Sequence, residues 1–318
     1  MRQVYNDGHL DFMARLFSIY THQYILIVSL QLSIFTMATL EPTFRSYIEC
    51  INEERWQDLP NFASFPLDFN GEVICAPEAF ADKVKAAGHL QLDIDAITVD
   101  EQTQRLGATL VAKLRVASAA TTNTTNPTGR EQSMIWAENG KISKVATMVD
   151  DDDDVLQRQL SEPGSVSAPD LIATYSPEAT GKRLLSGREL EDAYRAYISC
   201  INAQTMAADL PRFCHPHVVH NARRLSLEEY RLLIQEAFTA VPDIVFGIDA
   251  VVADETAQRV AARLRFTGTP TGKLSGAEPT DRGVRFYEYV TYAFLDGKID
   301  RVWSIVDWKS YRRQLLQE

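Results

Sequence analysis

One carboxylate, Glu288, lies in the middle of a predicted strand whose face is otherwise apolar or aromatic. Side chains alternate across a strand, and the residues that share this face are Phe286, Val290, Tyr292 and Phe294. A carboxylate on such a face is either desolvated, with a raised pKa, or paired. A desolvated carboxyl can serve as a general acid or base near neutral pH. A paired one is a structural group bonded to Arg263, Arg265 or a backbone donor.

A string of histidines, His215, His217 and His220, has the pattern HxHxxH. Imidazole rings suit zinc, copper and iron. However, no acidic residue is adjacent, and Cys214 would point to the opposite face of an extended segment. We therefore predict no metal site. His220 is either a pocket-lining group or a histidine used for surface and helix packing.

The last predicted strand contributes Trp303, Ser304 and Asp307 to the candidate residues. Ser304 could bond a ligand, but no Ser-His-Asp arrangement supports a nucleophilic role. The chain contains no glycine-rich phosphate loop and no dinucleotide fingerprint. The sequence therefore contains neither of these two nucleotide-binding signatures.

The elements that must position these residues occur twice. Residues 44–52, FRSYIECIN, correspond to residues 194–202, YRAYISCIN, and later motifs repeat in order with an offset of 150 to 157 residues. A repeat of that length is a whole domain, because solenoid units span about 20–50 residues. Glu131 and Thr147 of the first repeat occupy the positions of Glu288 and Ser304.

Each repeat combines amphipathic helices with later strands of alternating polarity. Ser226 and Glu229 form a capping box before one helix, and Asp296-Gly297 is a hairpin turn. This order predicts an α+β fold, in which a curved antiparallel sheet wraps on N-terminal helices and forms a cone with a pocket at its mouth. The predicted divisions are an N-terminal extension (1–39), a degenerate first domain (40–160), a linker (161–186) and a second domain (187–318).

Composition argues against one class of partner. The 318 residues carry a formal net charge of −11 and no cluster of basic residues, whereas binding to a nucleic-acid backbone needs a basic face. The four cysteines form no CxxC motif, which is typical of reduced thiols rather than a disulfide framework. We therefore predict a cytoplasmic protein that does not bind nucleic acid.

The N-terminal segment 16–40 contains no charged side chain and is long enough to span a bilayer, although His22 and Gln23 dilute it. We predict that residues 1–36 are an upstream extension absent from the working protein, since Met37 directly precedes the first repeat. The alternatives are a membrane anchor or secretory signal, and an ordinary added helix. A membrane partner is expected only if this segment is retained.

A series of short motifs runs through the second repeat in a fixed order. They are the Cys-Ile-Asn end of a helix at 200–202, FCHPH at 213–217, FTAVPD at 238–243, FTGTPTG at 266–272, PTDR at 279–282, DGKI at 296–299, and Trp303 with Asp307. With this set, nearly all of residues 190–318 resembles the SnoaL-like polyketide cyclases of the cystatin-like, or nuclear-transport-factor-2-like, α+β barrel superfamily. The first repeat is recognisable mainly through the second.

The resemblance implies a cofactor-free pocket in which an acid/base residue helps to form an enolate and to close a ring by intramolecular aldol condensation. Related isomerases and dehydratases are expected to use the same cone. The chain departs from the cyclase pattern, because the cyclase aspartate falls at Ser304 and the cyclase histidine at Val290. We expect Glu288 to be the base or shared proton carrier, and His220 to orient the substrate carbonyl.

The expected function is a cofactor-independent cyclase, isomerase or dehydratase that acts on a hydrophobic polyketide- or terpenoid-like molecule. The alternative is a non-catalytic small-molecule-binding or scaffold protein. The expected pocket residues are Tyr230, Val290, Tyr292, Trp303, Ser304 and Asp307. Since single-domain relatives usually pair through their sheets, the resemblance also implies an internal pseudo-dimer. Glu131 and Thr147 would mark its degenerate first site.

Overall fold

The computed structural model describes residues 39–86, 90–114, 128–150, 171–175, 183–221 and 223–316. Leu40–Glu318 forms one compact unit. The elements of the first repeat are α1 (Leu40–Asn52), a 3-10 helix (Trp56–Asn61), β1 (Ala63–Phe69), β2 (Glu72–Ile74), α2 (Pro77–Ala86), β3 (Leu90–Asp100), β4 (Arg105–Leu114), β5 (Thr128–Glu138) and β6 (Lys141–Val149). Between the repeats lies a 3-10 turn, Ile172–Thr174.

The second repeat has the same order of elements, with one additional helix after its last strand. Its elements are α3 (Gly187–Asn202), α4 (Met206–Phe213), β7 (Cys214–His220), β8 (Arg223–Ser226), α5 (Leu227–Ala240), β9 (Val245–Asp254), β10 (Arg259–Gly268), β11 (Val284–Leu295), β12 (Lys298–Val306) and α6 (Trp308–Leu316). Helix α4 takes the place of the 3-10 helix, and α6 follows the last strand.

Each repeat builds one six-stranded sheet, in the orders β2-β1-β6-β5-β4-β3 and β8-β7-β12-β11-β10-β9. The predicted α+β class with two tandem sheet-and-helix units is confirmed. The predicted antiparallel pairing holds for four of the five strand pairs in each sheet. The sheets are mixed because β1 pairs parallel with β6, and β7 pairs parallel with β12. In each repeat the first strand lies beside the last. Among the described strands, neither sheet closes on itself.

Local sequence signals account for the ends of the elements. The predicted capping box is confirmed: Ser226 Oγ accepts a hydrogen bond from the Glu229 N–H at 3.3 Å, and Glu229 Oε2 accepts one from the Ser226 N–H at 2.7 Å. The predicted hairpin turn has φ of 49° at Asp296 and 77° at Gly297, as expected when both central residues take positive φ. The turn thereby fixes the register of the two strands that it joins, β11 and β12.

The end of the second repeat differs from expectation. The alternation of Val302, Ser304, Val306 and Trp308 predicts a last strand that reaches Trp308. Instead, Trp308 begins α6. Asp307 explains the change, since its Oδ1 accepts a hydrogen bond from the Ser310 N–H at 2.9 Å and satisfies a free donor of the helix N-terminus.

The two sheets contact each other through their outer faces. Gly107 of β4 and Ala261 of β10 occupy equivalent positions, and a Cβ atom built on Gly107 would lie 2.2 Å from the Ala261 Cβ. An apolar cluster contains residues of both repeats, which are Met134, Ala146, Ala250, Val252, Ala261 and Tyr289. In addition, Gln132 Nε2 donates a hydrogen bond to the Trp303 carbonyl oxygen at 2.9 Å. Polar and apolar contacts therefore join the repeats.

Within the part of the chain that the structure describes, no helix is long and apolar enough to cross a membrane. The uncharged segment 16–40, for which a membrane anchor was one alternative, lies almost entirely outside the described residues, as does most of the predicted linker. Two pieces of that linker, 171–175 and 183–186, are described. Asp95 accepts hydrogen bonds from the backbone N–H groups of Ile172 and Ala173 at 2.7 and 2.8 Å, so the connection is fixed to β3 at this point.

Candidate active site

Glu288 lies on the inner face of the second sheet, the face that packs against the helices. Val290 and Tyr292 follow it on the same face and belong to the core that also contains Tyr194 of α3. Strand β12 pairs antiparallel with β11, and its Ser304 lies opposite Val290. This register brings Ser304 beside Glu288, and the Ser304 hydroxyl donates a hydrogen bond to Glu288 Oε1.

The carboxyl of Glu288 can both hold and release a proton near neutral pH. The residue keeps partial exposure, although protein atoms surround its carboxyl closely. Burial raises the pKa of Glu288 to about 7, and the hydrogen bond from Ser304 opposes that rise only in part. A group whose pKa lies near the working pH is suited to general acid–base catalysis, since both of its protonation states are populated.

Four buried tyrosines form a group at the site. Tyr194, Tyr230 and Tyr292 lie close enough to Glu288 to feel its charge, and Tyr197 joins them through Tyr230. The hydroxyl oxygens of Tyr197 and Tyr230 are 2.7 Å apart, and the Tyr292 ring centroid lies 5.1 Å from that of Tyr194. Burial raises the pKa of all four phenols, and the Glu288 charge adds to the rise for each except Tyr197. These hydroxyls therefore stay protonated and can donate hydrogen bonds.

His220 ends β7, where it pairs in parallel register with Val302 of β12. Its ring centroid lies 6.0 Å from that of Tyr230. Burial lowers the pKa of His220 to about 4, with further lowering by the positive charges of Arg130 and Arg223. At neutral pH the imidazole is therefore uncharged, with one N–H donor and one acceptor nitrogen. Strand β12 lies between His220 and Glu288.

Asn221, directly after His220, fixes the backbone of β12 beside the site. Its Oδ1 accepts a hydrogen bond from the Ser304 N–H at 2.9 Å, and its Nδ2 donates one to the Ser304 carbonyl oxygen at 2.9 Å. Asn70 does the same in the first repeat, where its Oδ1 accepts from the Thr147 N–H at 2.8 Å. In each repeat, an asparagine therefore fixes the backbone of the residue whose hydroxyl donates to the glutamate, Thr147 in the first repeat and Ser304 in the second.

The structure separates two predicted pocket residues from this group. Trp303 lies on the outer face of β12, fully buried, with its ring centroid 5.7 Å from that of Tyr175. Neighbouring residues of a strand point to opposite faces, so Ser304 and Trp303 cannot line one pocket. Asp307 caps helix α6 through its hydrogen bond from the Ser310 N–H. Both residues have structural roles here.

The first repeat contains a matching carboxyl in a different setting. Glu131 is buried, with 7% of its surface exposed, and it accepts hydrogen bonds from Thr147 Oγ1 at 2.5 Å and from Ser133 Oγ at 3.1 Å. Burial raises its pKa, and the two hydroxyl donors oppose that rise. Tyr47 lies close enough for the Glu131 charge to raise its pKa as well.

The remaining histidines and the cysteines have their own places. His215 Nε2 lies 2.8 Å from the Leu295 carbonyl oxygen, and His217 is exposed. In the described ranges, no group of three or more His, Cys, Asp or Glu side chains is arranged to hold a metal ion. Cys50, Cys200 and Cys214 are buried free thiols, and Cys75 is an exposed one.

Two members of the site, Tyr194 and Tyr197, were not predicted from the sequence. They lie at i and i+3 of an amphipathic helix, and this spacing predicts packing on a core whether or not the rings carry a hydroxyl. A signal was available by comparison of the repeats. Phe44 occupies the position of Tyr194 in the first repeat, so the hydroxyl is not needed for packing there.

Comparison with known proteins gives a consistent result. A family model described as SnoaL-like polyketide cyclase matches residues 191–315. No curated protein sequence matches the chain. Among solved structures, the chain is similar to a SnoaL-like polyketide cyclase from Agrobacterium tumefaciens, with 37% identity, 40% of this chain and 97% of that chain covered, and a TM-score of 0.37.

Two further solved structures have lower identity. TsrD from Streptomyces laurentii is 21% identical, with 42% of this chain and 98% of that chain covered and a TM-score of 0.38. AclR from Streptomyces galilaeus is 23% identical, with 41% of this chain and 97% of that chain covered and a TM-score of 0.37. In each case the matched length corresponds to one repeat.

Proposed function

Since this chain belongs to the SnoaL-like polyketide cyclase family, we propose that its second repeat is a cofactor-independent acid–base enzyme. Its substrate would be a hydrophobic polyketide- or terpenoid-like molecule, and the reaction a cyclisation, isomerisation or dehydration in secondary metabolism. One observation carries the proposal. Glu288 combines partial exposure with a pKa of about 7, among protonated tyrosines.

The proposed chemistry is proton transfer next to a carbonyl group. The ionised Glu288 carboxylate removes a proton from the carbon beside the carbonyl, and the enolate that forms carries negative charge on its oxygen. Neutral hydrogen-bond donors aimed at that oxygen stabilise the charge. The protonated hydroxyl of Tyr230 and the uncharged imidazole of His220 are such donors, and their rings lie side by side. Glu288 then returns the proton at another atom.

A second candidate function is binding without catalysis. It is favoured by the two departures from the cyclase pattern, Val290 and Ser304. Val290 is an apolar core residue, 1% exposed, and cannot transfer a proton. The Ser304 hydroxyl donates a hydrogen bond to Glu288 and lowers the pKa of that carboxyl, so it does not act as a second acid. In this case the second repeat would hold a hydrophobic molecule for another protein or protect it from water.

We also propose that the two repeats take the place of the two subunits of a dimer. The contact of Gly107 with Ala261 supports this arrangement, because the two residues occupy equivalent positions. We propose a cytoplasmic location as well. The four free cysteines are compatible with it, since thiols stay reduced in the cytoplasm. The first repeat would then be a packing partner whose own carboxyl, Glu131, does no chemistry.

The test uses the full-length chain and 2-tetralone, a bicyclic ketone with exchangeable hydrogens beside its carbonyl. Deuterium exchange of those hydrogens in D2O is followed by proton NMR for the wild type, Glu288→Gln and the matched control Glu131→Gln. We expect Glu288→Gln to lose about 10²–10⁴-fold of the rate, and Glu131→Gln to keep it within about twofold. Ketone binding without exchange in either the wild type or Glu288→Gln would favour the binding function instead.

A further inference from the structure

Arg130 of the first repeat reaches the candidate site of the second. It belongs to β5 and is 9% exposed. Its Nη2 donates hydrogen bonds to the Ser304 carbonyl oxygen and to Asn221 Oδ1, each at 3.0 Å. Both acceptors belong to the second repeat, so the contact crosses between the two sheets.

Both acceptors take part in the hydrogen bonds that hold the Ser304 backbone in position. Asn221 Oδ1 also accepts from the Ser304 N–H, and Asn221 Nδ2 donates to the Ser304 carbonyl oxygen, both at 2.9 Å. The Ser304 hydroxyl in turn donates to the Glu288 carboxylate. Ser304 therefore links the two groups: its carbonyl oxygen accepts a hydrogen bond from Arg130, and its hydroxyl donates one to Glu288.

We propose that Arg130 is a positioning residue for the second site, so that the first repeat supplies a group which the second needs. The position equivalent to Arg130 in the second repeat is Tyr287, so two copies of the second repeat would not provide this guanidinium. Its relevance to turnover rests on the proposed function, whereas the contact with Ser304 does not. This inference gives the first repeat a role beyond packing.

Arg130 also acts on His220 through its charge. Among the described residues, the charged and titratable groups that act on or contact His220 are Arg130 from β5, Arg223 from β8 and Tyr230 from α5. Burial is the main cause of the low pKa of His220, and the two arginines lower it further because positive neighbours disfavour an imidazolium. Asp150 lies 3.9 Å from Arg130 and offsets part of its charge. Loss of Arg130 should therefore move the pKa of His220 upward.

Two NMR titrations of the full-length chain test the proposal without any substrate. Histidine nitrogen signals report His220, assigned with His220→Gln, and glutamate carboxyl signals report Glu288, assigned with Glu288→Gln. The variants are Arg130→Met and the control Arg223→Met, which also removes a positive neighbour of His220. We expect both to raise the pKa of His220 by about half a unit to one unit.

Only Arg130→Met should also raise the pKa of Glu288, because it removes a hydrogen bond from the Ser304 carbonyl oxygen and one from Asn221, and so weakens the hydroxyl bond to the carboxylate. Arg130→Lys keeps the charge, but its ammonium group reaches less far than the Nη2 atom that contacts both acceptors. It should therefore retain the His220 titration and still shift that of Glu288. If Arg130→Met does not fold, Arg130→Gln gives the same comparison. A Glu288 titration that is unchanged in every Arg130 variant would overturn the proposal.

The rate of 2-tetralone exchange provides the functional readout. We expect Arg130→Met to lose roughly tenfold to hundredfold of the wild-type rate, since small displacements of a catalytic group are costly, and Arg223→Met to keep it within about twofold. Wild-type protein that exchanges no ketone would overturn the proposed function and leave the titration test intact. Normal exchange by Arg130→Met would overturn the positioning role alone.

Discussion

The two repeats place a glutamate at the same point of the same sheet, and the surroundings of the two carboxyls differ. Glu131 is sealed, with 7% exposure and two hydroxyl partners. Glu288 is partly exposed and has one, Ser304. The ring of Phe80, at the first site, occupies the position of Tyr230 at the second.

The shared fold positions a carboxyl in both repeats, and the side chains around that carboxyl differ between them. Burial raises the pKa of both glutamates, so a raised pKa alone does not make an active site. What the second repeat adds is access together with neutral donors, such as Tyr230 and His220. The first repeat has phenylalanines, Phe80 and Phe69, at those two positions, and its carboxyl is buried. Under the proposed function that carboxyl does no chemistry.

The largest expected effect is on the pH dependence of stability. The pKa of Glu288 rises from an ordinary 4.5 to about 7 on folding, so its contribution to stability is fully present below about pH 4.5 and is lost as the pH rises through 7. The loss should be on the order of 3 kcal/mol. In urea unfolding, the free energy of unfolding of the wild type should fall between pH 4.5 and pH 8, and that of Glu288→Gln should fall by about 3 kcal/mol less.

Two further variants sharpen that result. Glu131→Gln should also reduce the decline, because burial raises the pKa of Glu131 in the same direction. Glu236→Gln, on the exposed side of α5, should leave the decline unchanged. Equal declines in the wild type and in Glu288→Gln would mean that the pKa of Glu288 is the same in the folded and the unfolded protein, which would contradict the raised value.

The next effect concerns the contact between the repeats. Gly107→Ala places a methyl group 2.2 Å from the Ala261 Cβ, and such overpacking costs about 1–3 kcal/mol of unfolding free energy. The double variant Gly107→Ala/Ala261→Gly moves the methyl group to the other repeat and should recover most of the loss. Gly187→Ala, whose new methyl group would meet its nearest atom at 3.8 Å, is the control in thermal unfolding.

The packing of Gly107 against Ala261 would be contradicted if the effects of the two substitutions on the unfolding free energy simply added in the double variant. If Gly107→Ala/Ala261→Gly were no more stable than Gly107→Ala, the two positions would not compete for the same space. Coupling between contacting residues is expected to exceed the ~0.5 kcal/mol seen for independent sites. A recovery larger than that value is therefore the result that confirms direct contact.

The smallest expected effect comes from making the second site resemble the first at one position. Tyr230→Phe matches Phe80 and leaves the buried Tyr197 hydroxyl without its 2.7 Å partner, which should cost about 1 kcal/mol. Tyr311→Phe removes another buried hydroxyl, one with no hydrogen-bond partner among the described residues, and should be neutral or slightly stabilising. Equal costs for both variants in urea unfolding would argue against the Tyr197–Tyr230 hydrogen bond.

Much of the fold follows from local sequence patterns. The duplication, the capping box at Ser226 and the turn at Asp296-Gly297 depend on residues that are close in the chain, so periodicity and turn chemistry reveal them. The parallel pairing of β7 with β12 depends on segments far apart in the chain. Helix α6 was missed because Trp308 continues a strand-like alternation, and only the cap by Asp307 ends it.

The site could be predicted in part for the same reason. Glu288 was identified because its neighbours two residues away on one strand are apolar. Its bond to Ser304 follows from register, which the hairpin turn fixes. The tyrosines of α3 and the contact of Arg130 with Ser304 join elements that are distant in sequence, and no local pattern contains that information. Long-range contacts of this kind had to come from the structure.

The most direct test of the difference between the two carboxyls is a carbon-13 NMR titration of glutamate side-chain carboxyls in the full-length chain. Glu288→Gln and Glu131→Gln identify the two signals. We predict a pKa of about 7 for Glu288, and a shift of that signal when 2-tetralone is added, while the Glu131 signal does not respond to the ketone. A Glu288 pKa at or below the ordinary 4.5 would contradict the account.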